Sequence, residues 1–313
     1  MNYLIAVDSG GTKTNTILFD ETGHILLRDM SPGCNPLDIG LETARHTMLK
    51  TLQQVAAQAP GPISCIYAGI AGTFYLDGDF FSPDLLPQLP SDRVLVDDDG
   101  RSILSSELSP EVDGCSMICG TGCSVWIRKK ELPRLVHRGG WGYLIDTLGS
   151  GYSLGRNAFR AVCLEADDRG PATMLTKLIT QELGKPPIPA TPELYAGGRS
   201  RIASLAHTVF DAAKQGDAVA QELLDEGASS LAELLWSADK FFTSPYPVIL
   251  GGGIVSAFPE YVSAIRSRAP KNAHLILADT PPVYGSAVEA MRGIGLSCSD
   301  SFRSRFLADY RSL

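Results

Sequence analysis

Residues 8–14 read Asp8-Ser9-Gly10-Gly11-Thr12-Lys13-Thr14. This glycine-centred stretch lies between two apolar runs, Tyr3-Leu4-Ile5-Ala6-Val7 before it and Thr16-Ile17-Leu18-Phe19 after it. Both runs read as strands, so the stretch predicts a hairpin, with Gly10 and Gly11 where a tight turn calls for positive φ. A bare hairpin needs only the glycines. This one adds a carboxylate at the end of the first strand, and two threonines and a lysine on the turn. Turn amides and hydroxyls cradle phosphate oxygens, and a strand-end carboxylate holds Mg²⁺ through its waters. Taken alone, the motif stands level between an ordinary surface turn and such a cradle. It is not a P-loop, because no GxxxxGK[ST] leads into a helix.

Outward from this turn, Asp20-Glu21-Thr22-Gly23 predicts a second turn and residues 24–28 a third strand, completing a meander. A loop follows at Ser31-Pro32-Gly33-Cys34-Asn35-Pro36. Next comes a helix over 37–59, with Ile39, Ala44, Met48, Leu49, Leu52 and Val55 on one face. Strands at 65–68 and 94–96 flank a short helical region near 83–89, and a helix over 101–107 ends this part. After Ser109-Pro110 the opening restarts: a strand at 115–119, the turn Gly120-Thr121-Gly122, and strands at 124–127 and 134–137. Repetition at so long a period predicts a two-lobe duplication rather than a solenoid. It also lifts the phosphate reading of both turns above the plain-turn reading. The remainder turns helical, over 152–167, 173–183, 202–215 and 218–240, with Lys185-Pro186-Pro187-Ile188-Pro189 as a stiff linker. Strands return at 248–250 and 274–277 around a helix at 258–268, and helices near 283–292 and 301–310 close the chain.

A chain of 313 residues is long for a single core, so two domains are expected, over 1–110 and 111–313. The net charge of −8, with no basic run, argues against nucleic acid or an anionic membrane as the main partner. No stretch reaches the roughly 18 apolar residues of a membrane-spanning helix. The first strand begins at once, without the basic-then-apolar layout of a signal peptide. Seven scattered cysteines suit a reducing cytoplasm better than a disulfide framework. Cys115, Cys119 and Cys123 lack zinc-site spacing and a nearby histidine, so buried free thiols are expected there.

Two meander-led lobes with paired glycine turns resemble the superfamily of acetate and sugar kinases, heat-shock chaperones and actin. Within it, the chain is similar to the BadF/BadG/BcrA/BcrD ATPase family, and most closely to its N-acetylglucosamine kinase branch. Five ordered motifs between Tyr3 and Arg292 carry the resemblance: DSGGTKT, the PGCNP loop, VDDDG at 96–100, CGTGCS followed by GGWG, and LGGGIVS at 250–256. The fold this implies is α/β, with two RNase-H-like (actin-like ATPase) lobes, an ATP cleft between them, and extra helices in the second lobe.

The resemblance implies a role for each matching residue. Gly10, Gly11, Thr12 and Lys13 would hold the β- and γ-phosphates of ATP, with Gly120, Thr121 and Gly122 as the second clamp and Asp8 on hydrated Mg²⁺. Gly251, Gly252 and Ser256 match the adenosine motif. Asn35 would bond sugar hydroxyls, although asparagine is also a stock turn former. Gly140, Trp141 and Gly142 match a sugar-side loop, with Trp141 as a core residue the alternative. Asp97-Asp98-Asp99 reads by itself as a solvated helix start with one aspartate as N-cap. The family places its catalytic base at this position, where a carboxylate takes the proton of a sugar hydroxyl as the phosphoryl group leaves ATP. Counting back from the helical stripe favours Asp98, with Asp97 one residue away. The chain departs from the family at Asp146-Thr147-Leu148-Gly149, where many relatives carry GDEG; Asp146 then stands between a sugar-binding and a structural role.

These motifs imply an ATP- and Mg²⁺-dependent kinase acting on O6 of an amino sugar: N-acetylglucosamine first, with glucosamine and N-acetylmuramic acid open. The expected protein is a cytoplasmic homodimer with no nucleic acid or membrane partner. Two alternatives belong to other classes: an ATPase activator of a reductase or dehydratase, and a non-catalytic sugar-sensing ATP-binding protein.

Overall fold

The computed structural model of the protein describes residues 1–146 and 148–313. The chain forms two compact units, one of residues 1–112 and 278–313 and the other of residues 113–277. The first begins with strands β1 (Tyr3–Ser9), β2 (Lys13–Asp20) and β3 (Ile25–Pro32), then helices α1 (Pro36–Ile39) and α2 (Leu41–Ala56). Strands β4 (Ile63–Ile70) and β5 (Val94–Asp97) and helix α3 (Asp99–Glu107) follow. The second unit repeats the meander in β6 (Gly114–Cys119), β7 (Cys123–Arg128) and β8 (Val136–Arg138). Five helices come next: α4 (Gly151–Ala166), α5 (Leu175–Leu183), α6 (Thr191–Ser204), α7 (Ala206–Lys214) and α8 (Ala218–Asp239). It ends with β9 (Tyr246–Gly251), α9 (Gly253–Ala257), α10 (Pro259–Arg268) and β10 (Ala273–Leu277). Helices α11 (Pro282–Gly293) and α12 (Asp300–Ser312) return to the first unit.

Both sheets have the same plan. Their orders are β3-β2-β1-β4-β5 and β10-β9-β6-β7-β8, each an antiparallel meander joined by its first strand to two parallel strands. The fold is thus the α/β duplication that the paired turns predict. A strand buried on both faces reads as a continuous apolar run, and Leu4, Ile5, Ala6 and Val7 are all fully buried. Alternation sends Ile5 and Val7 to a core closed by α2, and Leu4 and Ala6 to one closed by α11 and α12.

That second core corrects the domain boundary expected from the sequence. The apolar stripe of α11 (Val283, Tyr284, Ala287, Ala290, Met291) belongs to the first unit, not the second. Gly285 lets α11 cross α3 so closely that a Cβ there would lie 1.7 Å from the Ser102 carbonyl oxygen. The Ser286 hydroxyl lies 2.8 Å from the Val7 carbonyl and 2.8 Å from the Ser102 hydroxyl. On α12, Phe302 and Phe306 meet the Phe19 ring edge-on at 6.0 and 5.8 Å. Each such ring contributes about 2 kcal/mol by burial.

Two helix boundaries also differ from expectation. Gly40, at φ +83°, ends α1 and caps α2, because a left-handed residue cannot continue a helix. Beyond the proline-rich linker the chain is helical from Thr191, with a kink at Gly198 inside α6. Among the described residues, no helix is long and apolar enough to cross a membrane. All seven thiols are free, and those of Cys115, Cys119 and Cys123 are buried.

Candidate functional site

In the first unit, β1 ends by presenting Asp8, and pairing with β2 stops at Ser9 and Thr14. The four-residue loop between them is closed by the Gly10 amide, which donates to the Lys13 carbonyl at 3.0 Å. Contrary to expectation, neither Gly10 nor Gly11 has positive φ. Loops of this length are most often built around a type I turn with ordinary φ, unlike the primed turns of two-residue hairpins. Packing does not ask for glycine at position 10 either, since a Cβ there would meet only the Lys13 carbonyl oxygen, at 3.9 Å. Thr12 and Lys13 are exposed.

Loop 32–35 lies directly on this turn. A Cβ on Gly33 would fall 2.5–2.6 Å from the Gly11 carbonyl carbon and the Gly10 and Gly11 carbonyl oxygens. Asn35 is buried and caps α1, its Oδ1 accepting from the Leu37 amide at 2.9 Å. The turn-forming reading of Asn35 is therefore realised by the oxygen, while its Nδ2 makes no hydrogen bond among the described residues. Oδ1 also touches Gly72, where a Cβ would sit 2.5 Å away.

Beyond Gly72, the Phe74 amide donates to Asp98 Oδ2 at 3.3 Å. Asp98 is buried and holds the N-cap position of α3 without making the capping hydrogen bond itself. Its neighbour Asp97 is half-exposed, pairs with Arg101, and accepts from the Asp98 amide at 2.8 Å. Asp97 is thereby engaged, and Asp98 is the aspartate turned inward. Asp99, which the sequence does not single out, shares a hydrogen bond with Asp98. Removal from water pushes both carboxyls up, Asp99 much further because the Asp98 charge adds to it. Asp8 is pushed up to about 7, by removal from water first and by Asp99 second, with Lys13 opposing. Asp8 thus feels Lys13 and Asp99, and Asp99 in turn feels Asp98, at the ends of β1 and β5 that flank β4.

In the second unit, the Gly120 amide donates to the Gly122 carbonyl at 2.9 Å. The turn is backed by the first turn of α4: the Gly151 and Tyr152 amides donate to the Gly120 and Thr121 carbonyls at 2.8 and 3.1 Å. Gly122, with ordinary φ, has nothing within 4 Å of its missing Cβ. Gly252 is the opposite case: its φ is +107°, and a Cβ would lie 2.4 Å from the Cys119 carbonyl oxygen. Gly251 ends β9 and is buried, while Ser256 on α9 is exposed and donates its amide to the Gly252 carbonyl at 3.1 Å. The two glycine motifs of this unit thus adjoin, with the missing Cβ of Gly120 3.6 Å from the Gly253 nitrogen.

The Gly139–Gly142 loop is also in this unit. Gly140, at φ +68°, approaches the Cys123 carbonyl oxygen to 2.5 Å at its missing Cβ. Trp141 is 47% exposed, which removes the core reading, and meets His137 edge-on at 5.1 Å. Gly142 and Asp146 form a β-bridge, and the Asp146 amide donates to the Gly142 carbonyl at 2.9 Å. The Asp146 charge is felt by the buried Cys123 thiol, which is raised to about 12, chiefly by removal from water. Thr147, part of the motif that departs from the family pattern, lies outside the described residues.

A model of the BadF/BadG/BcrA/BcrD ATPase family matches residues 5–290. An N-acetyl-D-glucosamine kinase of Dictyostelium discoideum is 25% identical, over 92% of this chain and 97% of its own length. An N-acetylmuramic acid/N-acetylglucosamine kinase of Clostridium acetobutylicum is 29% identical, over 74% of this chain and 77% of its own. The crystal structure of a candidate N-acetylglucosamine kinase from Chromobacterium violaceum has the same fold. Its TM-score is 0.71 at 23% identity, with 91% of this chain and 98% of that chain covered.

Proposed function

This chain belongs to the BadF/BadG/BcrA/BcrD ATPase family, and from that premise we propose that it is an amino-sugar kinase transferring the γ-phosphoryl group of ATP to O6 of N-acetylglucosamine. Relatives that match along most of the chain are kinases of N-acetylglucosamine, of N-acetylmuramic acid and N-acetylglucosamine, and of N-acetylmannosamine. The observation that carries the reading lies in the first unit. There an open glycine turn, the loop of Asn35 and the buried Asp98 hydrogen-bonded to Asp99 lie at the strand ends.

Among the described residues nothing crowds a Cβ at Gly10 or Gly122, which leaves both turns open to a group laid against the backbone, as a phosphate oxygen would be. Gly10, Gly11, Thr12 and Lys13 would take the β- and γ-phosphates, and Gly120, Thr121 and Gly122 would clamp the same chain. Gly251, Gly252 and Ser256 would face the adenosine. Asp8 fits a hydrated Mg²⁺, because it is an oxygen donor whose burial beside another carboxyl disfavours its charge until a cation balances it. When bound, the ion neutralises charge on the β- and γ-phosphates.

On the sugar side, Asn35 would donate through Nδ2 to a ring hydroxyl, and Gly140, Trp141, Gly142 and Asp146 would line the second unit's share. Asp98 acts as the base. Its charged carboxylate takes the O6 proton as O6 attacks the γ-phosphorus and the bond to ADP breaks. Asp99, the neighbour that Asp8 feels, shares a hydrogen bond with Asp98 and so keeps that carboxylate oriented. Two effects are balanced at Asp98: burial raises its proton affinity, and the hydrogen bonds from Asp99 and the Phe74 amide lower it. Turnover measured on N-acetylglucosamine, glucosamine, N-acetylmuramic acid and N-acetylmannosamine tests the assignment. The highest kcat/KM is expected for N-acetylglucosamine, and absence of ADP release with every amino sugar overturns it.

A further inference from the structure

Beneath the turn at 10–13 lies a chain of buried hydroxyls that the reaction itself does not use. The Cys34 amide donates to Ser9 Oγ at 3.2 Å, Ser9 Oγ lies 2.8 Å from Thr14 Oγ1, and Thr14 Oγ1 donates to the Pro32 carbonyl at 2.9 Å. Thr14 commits its only proton to Pro32, so the Ser9 proton goes to Thr14 and the chain runs in one direction. Both side chains are fully or almost fully buried, at 0% and 1% exposure. The two strand ends that pair across the base of the turn are thus each bonded to loop 32–34, one at either end of it.

Slippage between turn and loop is blocked as well, because Gly33 already touches the Gly10 and Gly11 carbonyls. On its far side the loop is tied to α2 through the Cys34 thiol, which donates to the Ala44 carbonyl at 3.0 Å. Asn35 follows immediately. Buried hydroxyl chains resist partial opening, since breaking one link strands polar groups away from water.

We propose that Ser9 and Thr14 are positioning residues that join the turn 10–13 and the loop 32–35 into one body, so that a nucleotide seated on the turn also orders the loop that presents Asn35. This rests on the reading of the turn as a phosphate cradle and of the loop as sugar-facing, and it adds a prediction that needs no sugar. Hydrogen exchange of the full chain, with and without the Mg²⁺ complex of a non-hydrolysable ATP analogue, measures it. In the unmodified protein the nucleotide is expected to slow exchange about tenfold both in a peptide spanning 10–13 and in one spanning 31–36. With Ser9→Ala or Thr14→Val, the first response is expected to persist and the second to fall below twofold. Thr14→Ser, which keeps the hydroxyl, is expected to behave as the unmodified protein and so separates a lost hydrogen bond from lost packing. Equal protection of 31–36 in Ser9→Ala and Thr14→Val, or no response of 31–36 in the unmodified protein, overturns the proposal. Failure to phosphorylate any amino sugar would instead remove the kinase reading and leave this result standing.

Discussion

The turns at 10–13 and 120–122 occupy the same place in two sheets of the same strand order, and their surroundings differ. The first lies among side chains: Asp8, Lys13, the Asp98–Asp99 pair and a loop bonded to its base. The second lies among backbone, with α4 amides behind it and the Gly251–Gly253 turn beside it. On the proposed function, one duplicated frame serves two uses. Backbone amides suit a ligand held by its phosphates, and ionisable side chains suit the step in which a proton moves. Under the proposed function, the repeat would seat the nucleotide, while the departures from the repeat would carry the chemistry.

The largest effect that can break this division is at Asp98. Asp98→Asn is expected to lower kcat about 10³-fold, equivalent to about 4 kcal/mol, with the nucleotide dissociation constant unchanged. A loss shared equally by nucleotide binding would erase the distinction between the two regions. Gly252→Ala, in the second region, is expected to destabilise the protein by about 3 kcal/mol in urea unfolding, because the new Cβ meets the Cys119 carbonyl oxygen in a left-handed backbone. Acid sharpens the comparison next. His137 on β8 is buried and pushed down to about 4, mainly by removal from water and then by Arg138. Its neutral form is the folded one. Its stabilisation is therefore complete above about pH 6.5 and is lost as pH falls towards 4, by roughly 2 kcal/mol. Thermal melts between pH 7.5 and 4.5, followed by tryptophan fluorescence, should show this slope, and His137→Gln should flatten it. The smallest effect is at Gly122. Gly122→Ala is expected to leave the melting temperature within a degree and weaken nucleotide binding about tenfold, roughly 1.4 kcal/mol.

Much of this was legible locally. Apolar runs such as Leu4 to Val7 and the glycines between paired strands mark both meanders, and their echo 110 residues later marks the duplication. That Asp98 stands at the N-cap of α3 was reachable by counting back from the α3 stripe. What was not legible depends on distant packing. The return of residues 278–313 to the first unit follows from Gly285 against Ser102 and from Ser286 against Val7, partners that no local pattern announces. Gly40 lay within an apolar stripe of helical period, and only its φ shows the break. The glycines of the first turn were read as backbone requirements, whereas Gly10 has ordinary φ and open space at its missing Cβ. Of the two readings of Asn35, the turn-forming one is realised as the cap of α1. Asp99 and the Ser9–Thr14 hydroxyl chain went unnoticed because their meaning lies in contacts with Asp98, Asp8, Pro32 and Cys34.

The measurement closest to the central claim is NMR of the product formed from ATP, Mg²⁺ and N-acetylglucosamine, run in parallel for the unmodified protein and Asp98→Asn. The account predicts N-acetylglucosamine 6-phosphate with equimolar ADP from the former, and almost none from the latter despite full nucleotide binding. Phosphorylation at another hydroxyl, or undiminished product from Asp98→Asn, would contradict it.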